Sequence, residues 1–567
     1  MRTNFRKAAF YRAGFCRAGM MIFAGWGATA AGAQVVPDRA DPALVTRSLP
    51  PGAADAAADV DAGRQPATRQ PTVVSNPSVP AVASDLQARV IVVRGNESVP
   101  ADAFEPATRP FVGRRLAAGD LRALAGAVAG VARARGLVLA TAAIRQQDVA
   151  GGELVVTLDE GRIDAVRSIG ASSPAADRLL ASLVTHRATT RAALERALLL
   201  VGDLPGVRVA ATSYTRENGF GILLVTLAST RVTGYLQLDN RGTREIGPVR
   251  GVGLADLHGV LGSGDDLGIA VALTPFQPRE FTFVSARYAT PAGWGGGAAS
   301  ASGFYGRTRA GGDLSPYALA GDSYGFGLGY SLPISRSRRS SLWFDVDLHT
   351  LVSDQSVLGQ RFRDDRLTVL SGTLRRADQV AGGLLHLSIQ GNAGLPLLNA
   401  TREGDPLASR PDGDARYVAG LFQADWTRPI TGPLSLSLAG AAQVASRPLL
   451  ASAELSLGGA GFGRAYDYSE RTGDEGVMGS AELRVDVKRL VPMRVQRVQV
   501  YAFGDGGTVV NLRSGIGGGS LASGGAGLRV GQGSLDAGVE VAVPLGEDRL
   551  DTGDRTPRVS GTLAVRF

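Results

Sequence analysis

Residues 458–485 read GGAGFGRAYDYSERTGDEGVMGSAELRV, and this stretch decides the fold. A glycine-rich segment leads to Arg464 and Tyr466, and a polar turn follows at residues 473–476. Apolar and charged residues then alternate, the apolar ones being Ala481, Leu483, Val485 and Val487 and the charged ones Glu482, Arg484 and Asp486. A long polar loop that feeds a strand with one apolar and one charged face is typical of a membrane barrel with a wet interior.

A second alternating strand ends in Phe503-Gly504-Asp505-Gly506-Gly507. Asp505 falls on the same face as Gln499, Tyr501 and Phe503. If this face lines the interior of the barrel, the carboxylate is available to an arginine on a loop folded inward. Either residue taken alone is equally well explained as a solvated loop arginine or a turn aspartate, because short motifs often match by chance.

The region from Thr230 to Phe567 has no helical periodicity. Segments of about ten residues alternate apolar and polar side chains and are separated by Gly, Asp, Pro and Arg, as in transmembrane barrels. The length of the region accommodates sixteen strands of roughly 9–11 residues joined by alternating short turns and long loops. An even strand number places the C-terminus on the same side of the membrane as the N-terminal domains.

Two small α+β units precede this region. The first covers residues 88–161 and has the predicted order strand, helix, strand, strand. The second covers residues 162–229, with one strand, two helices and two strands joined at Asn218-Gly219, a strong hairpin signal.

The N-terminal residues are predicted to carry export information. Residues 1–33 have a basic start and an apolar run before a small-residue site, which indicates a signal peptide, because the run is short for a membrane anchor. Residues 34–87 contain a weak helix over residues 41–61 and a proline-rich linker, and a disordered tail is the alternative interpretation. Cys16 is the only cysteine, so no disulfide or thiolate metal site is expected in the exported chain.

Together these motifs resemble the outer-membrane transporters of two-partner secretion (TpsB type, the hemolysin and filamentous-hemagglutinin secretion-activation family) within the barrel-assembly superfamily. Arg464 and Tyr466 match the family's Arg-Gly-Phe/Tyr loop motif, and Ala465 departs from it. Phe503, Asp505 and Gly507 match its Phe-x-Asp-x-Gly strand motif. The resemblance covers about residues 88–567. It implies a mainly β chain, in which two polypeptide-transport-associated (POTRA) domains precede a transmembrane antiparallel barrel.

The resemblance also implies the remaining features. Arg464 is expected to pair with Asp505 in the lumen, and a helix within residues 34–87 is expected to plug the barrel. The terminal Phe567 resembles the insertion signal of outer-membrane barrels, read by the barrel-assembly machinery. The expected location is the outer membrane, in contact with its lipid, with the POTRA domains in the periplasm. The expected partner is a secreted exoprotein cargo (TpsA type), bound within the POTRA domains.

Other functions find less support in the sequence. The formal net charge is +8, and five basic residues precede the first acid, so the remaining +3 gives no reason to expect nucleic-acid binding. The four histidines lack ligand spacing, so no metal, cofactor or enzymatic activity is expected. A membrane-protein insertase and a passive porin are the alternatives. Two POTRA domains are few for an insertase, and a porin explains neither these domains nor the Arg464 and Asp505 motifs. The sequence does not identify the cargo or the oligomeric state.

Overall fold

The fold is described from a computed structural model. It describes residues 40–47, 49, 72–73, 86–145, 147, 151–217, 219–489, 495–513 and 515–567. The predicted signal peptide, most of the predicted linker and Asn218 of the predicted hairpin turn lie outside these residues. No helix in the described part of the chain is long and apolar enough to cross a bilayer.

The described residues before the barrel form short helices and strands. The helices are α1 Pro42–Arg47, α2 Glu105–Thr108, α3 Ala118–Ala134, α4 Pro174–Ala181 and α5 Arg191–Gly202. The strands are β1 Thr72–Val73, β2 Leu86–Gln87, β3 Val90–Arg94, β4 Arg115–Leu116, β5 Thr141–Ala143, β6 Glu153–Asp159, β7 Ala165–Gly170, β8 Val207–Glu217 and β9 Phe220–Ser229. Single turns of 3-10 helix occupy Ala101–Phe104, Arg109–Phe111, Gly312–Tyr317, Ala451–Ala453 and Val487–Arg489.

These elements form two compact α+β units. In the first, β3, β6 and β5 make a sheet against which α3 buries Leu121, Leu124 and Val128, spaced to lie on one helical face. In the second, α4 and α5 share one core with a sheet ordered β1-β8-β9-β7. Among the described residues the edges of this sheet are the two-residue β1 on one side and the longer β7 on the other.

The rest of the chain is strand. The strands are β10 Val232–Asp239, β11 Arg250–His258, β12 Asp266–Leu273, β13 Phe281–Pro291, β14 Ala298–Arg309, β15 Ala320–Arg336, β16 Ser340–Val357, β17 Gln360–Val380, β18 Gly383–Gly394, β19 Val418–Thr431, β20 Leu434–Ala445, β21 Leu455–Leu457, β22 Arg471–Gly473, β23 Glu475–Asp486, β24 Arg497–Val510, β25 Gly519–Gln532, β26 Leu535–Pro544 and β27 Arg558–Arg566.

Sixteen of the described strands, β10–β20 and β23–β27, close one antiparallel barrel, as predicted. Each barrel strand pairs with the next, and β10 pairs with β27 from Tyr235 opposite Arg566 to Asp239 opposite Thr562. Beyond this ladder, the amide and carbonyl groups of Phe567 bond the carbonyl and amide of Gly234, at 3.1 and 2.8 Å. The C-terminal residue therefore completes the pairing of β10 with β27, which is the seam at which the barrel closes.

The outer wall carries an apolar band bounded by tyrosines. Along β15, Phe326 and Leu328 are more than half exposed, and Tyr324 and Tyr330 flank them on the same face. Tyr324 and Tyr330 lie about 20 Å apart along the strand, which is about 15 Å of height for a strand tilted by about 40° and fits within the apolar band of transmembrane barrels. This exposure is destabilising in water and stabilising in lipid, so the wall is a membrane surface.

Some strands exceed the predicted length. β15, β16 and β17 have 17, 18 and 21 residues, whereas roughly 9–11 suffice to cross the membrane. The β16–β17 hairpin continues past the apolar band with charged outer-face residues such as Asp354 and Arg366, which pair with neighbouring charges in water. Alternation alone could not reveal where the membrane ends.

Helix α1 lies inside the barrel. Asp41 caps its first turn by accepting from the Ala43 amide, and it also accepts from the Ser353 hydroxyl, both at 2.8 Å. Val45 is fully buried in a cluster with lumen-facing residues of β11, β12 and β13. Arg47 donates to the carbonyl oxygens of Ser452 and Glu454, each at 3.0 Å. Within the described part of residues 34–87 the helix has six residues, and it is held by the wall and by the loop that follows β20.

The second α+β unit contacts three short turns at one end of the barrel, two of them through Ser173 to Ser263 and Arg196 to Gly295. Arg196 of α5 donates to the carbonyl oxygens of Pro333 (2.9 Å) and Ile334 (3.3 Å) at the end of β15. Arg336 makes a two-pronged ion pair with Asp203, at 2.7 and 2.8 Å. These contacts fix the unit against the end where the C-terminus lies.

Candidate lumen lock

The loop between β20 and β23, residues 446–474, folds into the barrel. Its two arms pair as the small sheet β21–β22. Between them the chain reverses through Gly458, Gly459 and Gly463, whose positive φ values of 114°, 97° and 76° favour glycine. Ala465, which departs from the family motif, is buried and does not have positive φ, so its side chain causes no backbone strain.

Arg464, at the tip of this loop, contacts three carboxylates from three strands. We call this cluster of Arg464, Glu482, Asp505 and Glu540 the lock. Its Nη1 lies 2.7 Å from Glu482 Oε2 and 3.2 Å from Glu540 Oε2, and its Nε lies 3.1 Å from Asp505 Oδ2. The guanidinium also stacks on Phe503, with Cζ 4.2 Å from the ring centroid. Burial alone would lower the pKa of Arg464, but the carboxylates raise it above its usual value, so the group stays charged.

Asp505 binds the backbone of the loop as well as the guanidinium of Arg464. Its Oδ1 accepts from the amides of Gly463 (2.8 Å) and Arg464 (3.2 Å) and from the Ser523 hydroxyl. Its Oδ2 faces Arg464 Nε without the alignment of a hydrogen bond, so that contact is an ion pair only. The predicted two residues thus lie together, but the guanidinium fork is shared among carboxylates instead of engaging Asp505 with both prongs.

Glu482 and Glu540 extend the site, and the sequence did not single them out. Glu482 accepts from Arg484 and Arg529, each at 2.6 Å, in addition to Arg464. Alternation correctly places Glu482 on the lumen face. Arg484 lies on the same strand, but Arg529 and Arg464 come from another strand and a loop, so their convergence on Glu482 depends on the tertiary fold.

Glu540, on β26, connects the site to the seam of the barrel. It accepts from Tyr501 at 2.8 Å and from Arg241, in the loop after β10, at 2.6 Å. Glu540 also meets Arg464, so one carboxylate joins the tip of the inward loop to a residue beside the first strand.

The other predicted motif residues lie in the loop, on β24 and at the C-terminus. Tyr466 is fully buried and its hydroxyl donates to the Glu547 carbonyl at 2.8 Å, which ties the loop to the β26–β27 connection. Gly507 lies where a Cβ atom would come 2.6 Å from the Val477 carbonyl oxygen on the neighbouring strand. Phe567 is 68% exposed, and its ring covers Gly234, where a Cβ atom would come 2.3 Å from the ring.

Comparison with known proteins agrees with this architecture. The sequence profile of the haemolysin secretion/activation proteins ShlB/FhaC/HecB matches residues 221–530, and that of the ShlB-type POTRA domain matches residues 86–161. The outer membrane transporter CdiB of Escherichia coli is 23% identical over 413 residues, 68% of this chain and 66% of that protein. The heme/hemopexin transporter protein HuxB of Haemophilus influenzae (strain 86-028NP) is 25% identical over 183 residues, 31% of this chain and 32% of that protein.

A solved structure of CdiB from Escherichia coli superposes with a TM-score of 0.66 at 21% identity, covering 87% of this chain and 92% of that one. Fold and site thus define the class, an outer-membrane β-barrel with an N-terminal POTRA domain and a loop locked in its lumen. Within this class, the chain belongs to the haemolysin secretion/activation protein family ShlB/FhaC/HecB. The alignments span about two thirds of the CdiB sequence and about a third of HuxB.

Proposed function

We propose that the protein exports a partner exoprotein from the periplasm through the outer membrane to the cell surface, by two-partner secretion. The observation that carries this proposal is the combination of a closed membrane barrel, an α+β periplasmic extension and a lumen loop held by discrete charged contacts. A polar lumen occupied by a loop suits a conduit that opens for a polypeptide. The lock at Arg464 is proposed to keep that conduit closed between transport events.

Capture of the cargo is proposed to occur on the α+β units, by addition of an extended cargo segment to a free sheet edge. Strand β7 presents such an edge, and its Ile169 is 48% exposed. Strand addition takes affinity from backbone hydrogen bonds and specificity from alternate side chains, so an unfolded segment suffices as ligand. The cargo would then enter the lumen from the side on which the units sit.

The test is a comparison of secreted proteins from the parent strain, a strain lacking this gene, and the mutant complemented with the intact gene. We expect one large exoprotein to disappear from the medium and the cell surface, to accumulate or be degraded in the periplasm, and to return on complementation. The Arg464→Ala protein, inserted at wild-type amounts, serves as a second complementing variant that lacks only the lock.

Two results would replace this proposal by its alternatives. Broad loss of unrelated outer-membrane barrels in the mutant would indicate an insertase. Unchanged secreted proteins together with reduced uptake of small solutes would indicate a porin.

A further inference from the structure

A second arginine is buried at the outer end of the lumen. Arg410 lies in the connection 395–417 between β18 and β19 and is only 2% exposed. Its Nη1 is 2.7 Å from Asp474 Oδ2 and 3.1 Å from Glu454 Oε1, and its Nε is 2.7 Å from Asp412 Oδ1. No sequence motif pointed to this residue.

The same guanidinium reaches a third connection of the barrel. Nη1 donates to Asn511 Oδ1 at 3.1 Å, and Nη2 donates to the Leu512 carbonyl. Asp474 in turn accepts from the amides of Leu449 (2.6 Å) and Leu512 (2.7 Å). The arginine and one carboxylate thereby tie together the β18–β19, β20–β23 and β24–β25 connections.

The topology places this cluster at the outer mouth. Asp474 immediately precedes β23, and Asn511 immediately follows β24, so both lie at the barrel end opposite the α+β units. Residues 449–454 and Asp474 are the two roots of the inward loop, whereas Arg464 is at its tip. The cluster at Arg410 and the lock at Arg464 therefore hold different parts of the same loop.

Because the cluster is buried, we expect its ion pairs to be either all formed or all separated. Glu454 and Asp474 are at most 1% exposed, so losing Arg410 would remove the cation that these two buried carboxylates share. Removing one partner of a buried ion pair is strongly destabilising, which favours separation of the three connections so that the carboxylates reach water.

We propose that Arg410 is a second lock, which closes the outer mouth by holding the roots of the inward loop against two neighbouring outer connections. It sets how readily the lumen opens to the outside, while the Arg464 lock sets where the tip of the loop rests. This role concerns the channel itself, so it is tested without any cargo and stands or falls separately from the proposed secretion.

The experiment uses the full mature chain, purified and reconstituted in planar lipid bilayers. Arg410→Met retains much of the side-chain volume without the charge, and we expect large-conductance openings to become about tenfold more frequent. The matched control is Arg416→Met in the same connection. Its side chain is 44% exposed and its partner Asp414 keeps a second cation, Arg447, at 3.4 Å, so this variant should conduct like the wild type.

A second variant leaves every charge in place. At Gly515 a Cβ atom would lie 2.3 Å from Arg410 Nη2, so Gly515→Ala displaces the guanidinium and should open the channel in the same direction. Combining Arg410→Met with Arg464→Ala should give more openings than either change alone. The proposal is overturned if heat-modifiable Arg410→Met and Gly515→Ala barrels conduct like the wild type, if Arg416→Met opens as often as Arg410→Met, or if the double variant equals Arg464→Ala.

Discussion

The guanidinium of Arg464 is a single cation in contact with three carboxylates, so replacing Arg464 is the most informative single substitution. Arg464→Ala would leave Glu482, Glu540 and Asp505 without this partner, at a cost of up to about 3–5 kcal/mol where the site is dry. That cost acts on the position of the loop, because the wall is held by its own ladders. We expect a heat-modifiable barrel in which the loop tip moves and secretion is strongly reduced.

The loop position can be measured with a single cysteine at Ala460, which is exposed near the tip. External labelling by an impermeant maleimide should increase in the Arg464→Ala background. The control is Arg513→Ala, an outer-loop arginine with a 56% exposed side chain, which should change neither labelling nor secretion. Full secretion by Arg464→Ala would contradict the lock.

Asp505→Ala tests whether the lock is a pair or a network. If Arg464 and Asp505 form an isolated pair, both single variants should behave alike. Because Glu482 and Glu540 also contact Arg464, we expect Asp505→Ala to reduce secretion less than Arg464→Ala. The double variant should be no worse than Arg464→Ala, since the tip that moves in Arg464→Ala also carries the Gly463 and Arg464 amides away from Asp505. Additive losses in the double variant would show that Asp505 acts elsewhere.

Glu482 pairs with three arginines, one of them Arg464 of the inward loop, so its neutralisation should release the tip of the loop. Glu482→Gln keeps the shape of the side chain but leaves Arg464, Arg484 and Arg529 facing a neutral amide. We expect Ala460→Cys labelling to rise to at least the level seen with Asp505→Ala. Glu475→Gln, on the same strand, is the control. Wild-type labelling of the Glu482→Gln protein would remove Glu482 from the lock.

At the scale of elements, strand β7 offers a test of cargo capture. Successive amides of an edge strand point alternately toward and away from the sheet. Of Arg167→Pro and Ser168→Pro, one therefore removes a ladder bond to β9 and the other removes a free donor. We expect the variant that keeps the wild-type melting temperature to have reduced secretion. Normal secretion by that folded variant would exclude β7 as the docking edge.

Phe567, which follows β27, is predicted to act in insertion of the barrel more than in packing. Phe567 is exposed, yet its backbone completes the seam with Gly234 and its ring covers that glycine. Phe567→Ala should lower the amount of heat-modifiable barrel in the membrane, while Phe567→Tyr should restore most of it. Equal barrel amounts in the Ala and Tyr variants would show that the terminal aromatic ring is dispensable for insertion.

At the scale of the whole molecule, the second α+β unit is held to the barrel by a few polar contacts. Removing both Arg196 and Arg336 eliminates the bonds to Pro333, Ile334 and Asp203. We expect broader spin-label distance distributions between the unit and the barrel wall, with the melting temperature of the barrel unchanged. Arg208→Ala, on β8 of the same unit, is the control. An unchanged distribution in the double variant would mean that apolar contacts suffice.

The amino-acid sequence by itself determined the barrel, its strand number and the lumen faces. Side-chain alternation has a period of two, and an apolar face of this length is stable only in lipid. The sequence therefore shows that Leu483 faces lipid and Glu482 faces the lumen. Phe503, Asp505 and Arg464 could likewise be selected, because each stands in a local motif.

Tertiary structure alone decided which charges meet. Glu540, Glu482 and Asp505 lie on three strands, and Arg464 reaches all of them only after the barrel closes and the loop folds inward. Arg410 had no local signature, because its partners Glu454 and Asp474 belong to a connection distant in sequence. Alternation determines on which face of the wall a side chain lies. Which side chains it contacts depends on closure of the barrel, the strand register and the path of the loops. A buried lumen charge needs a counter-charge, and only the fold determines which one is within reach.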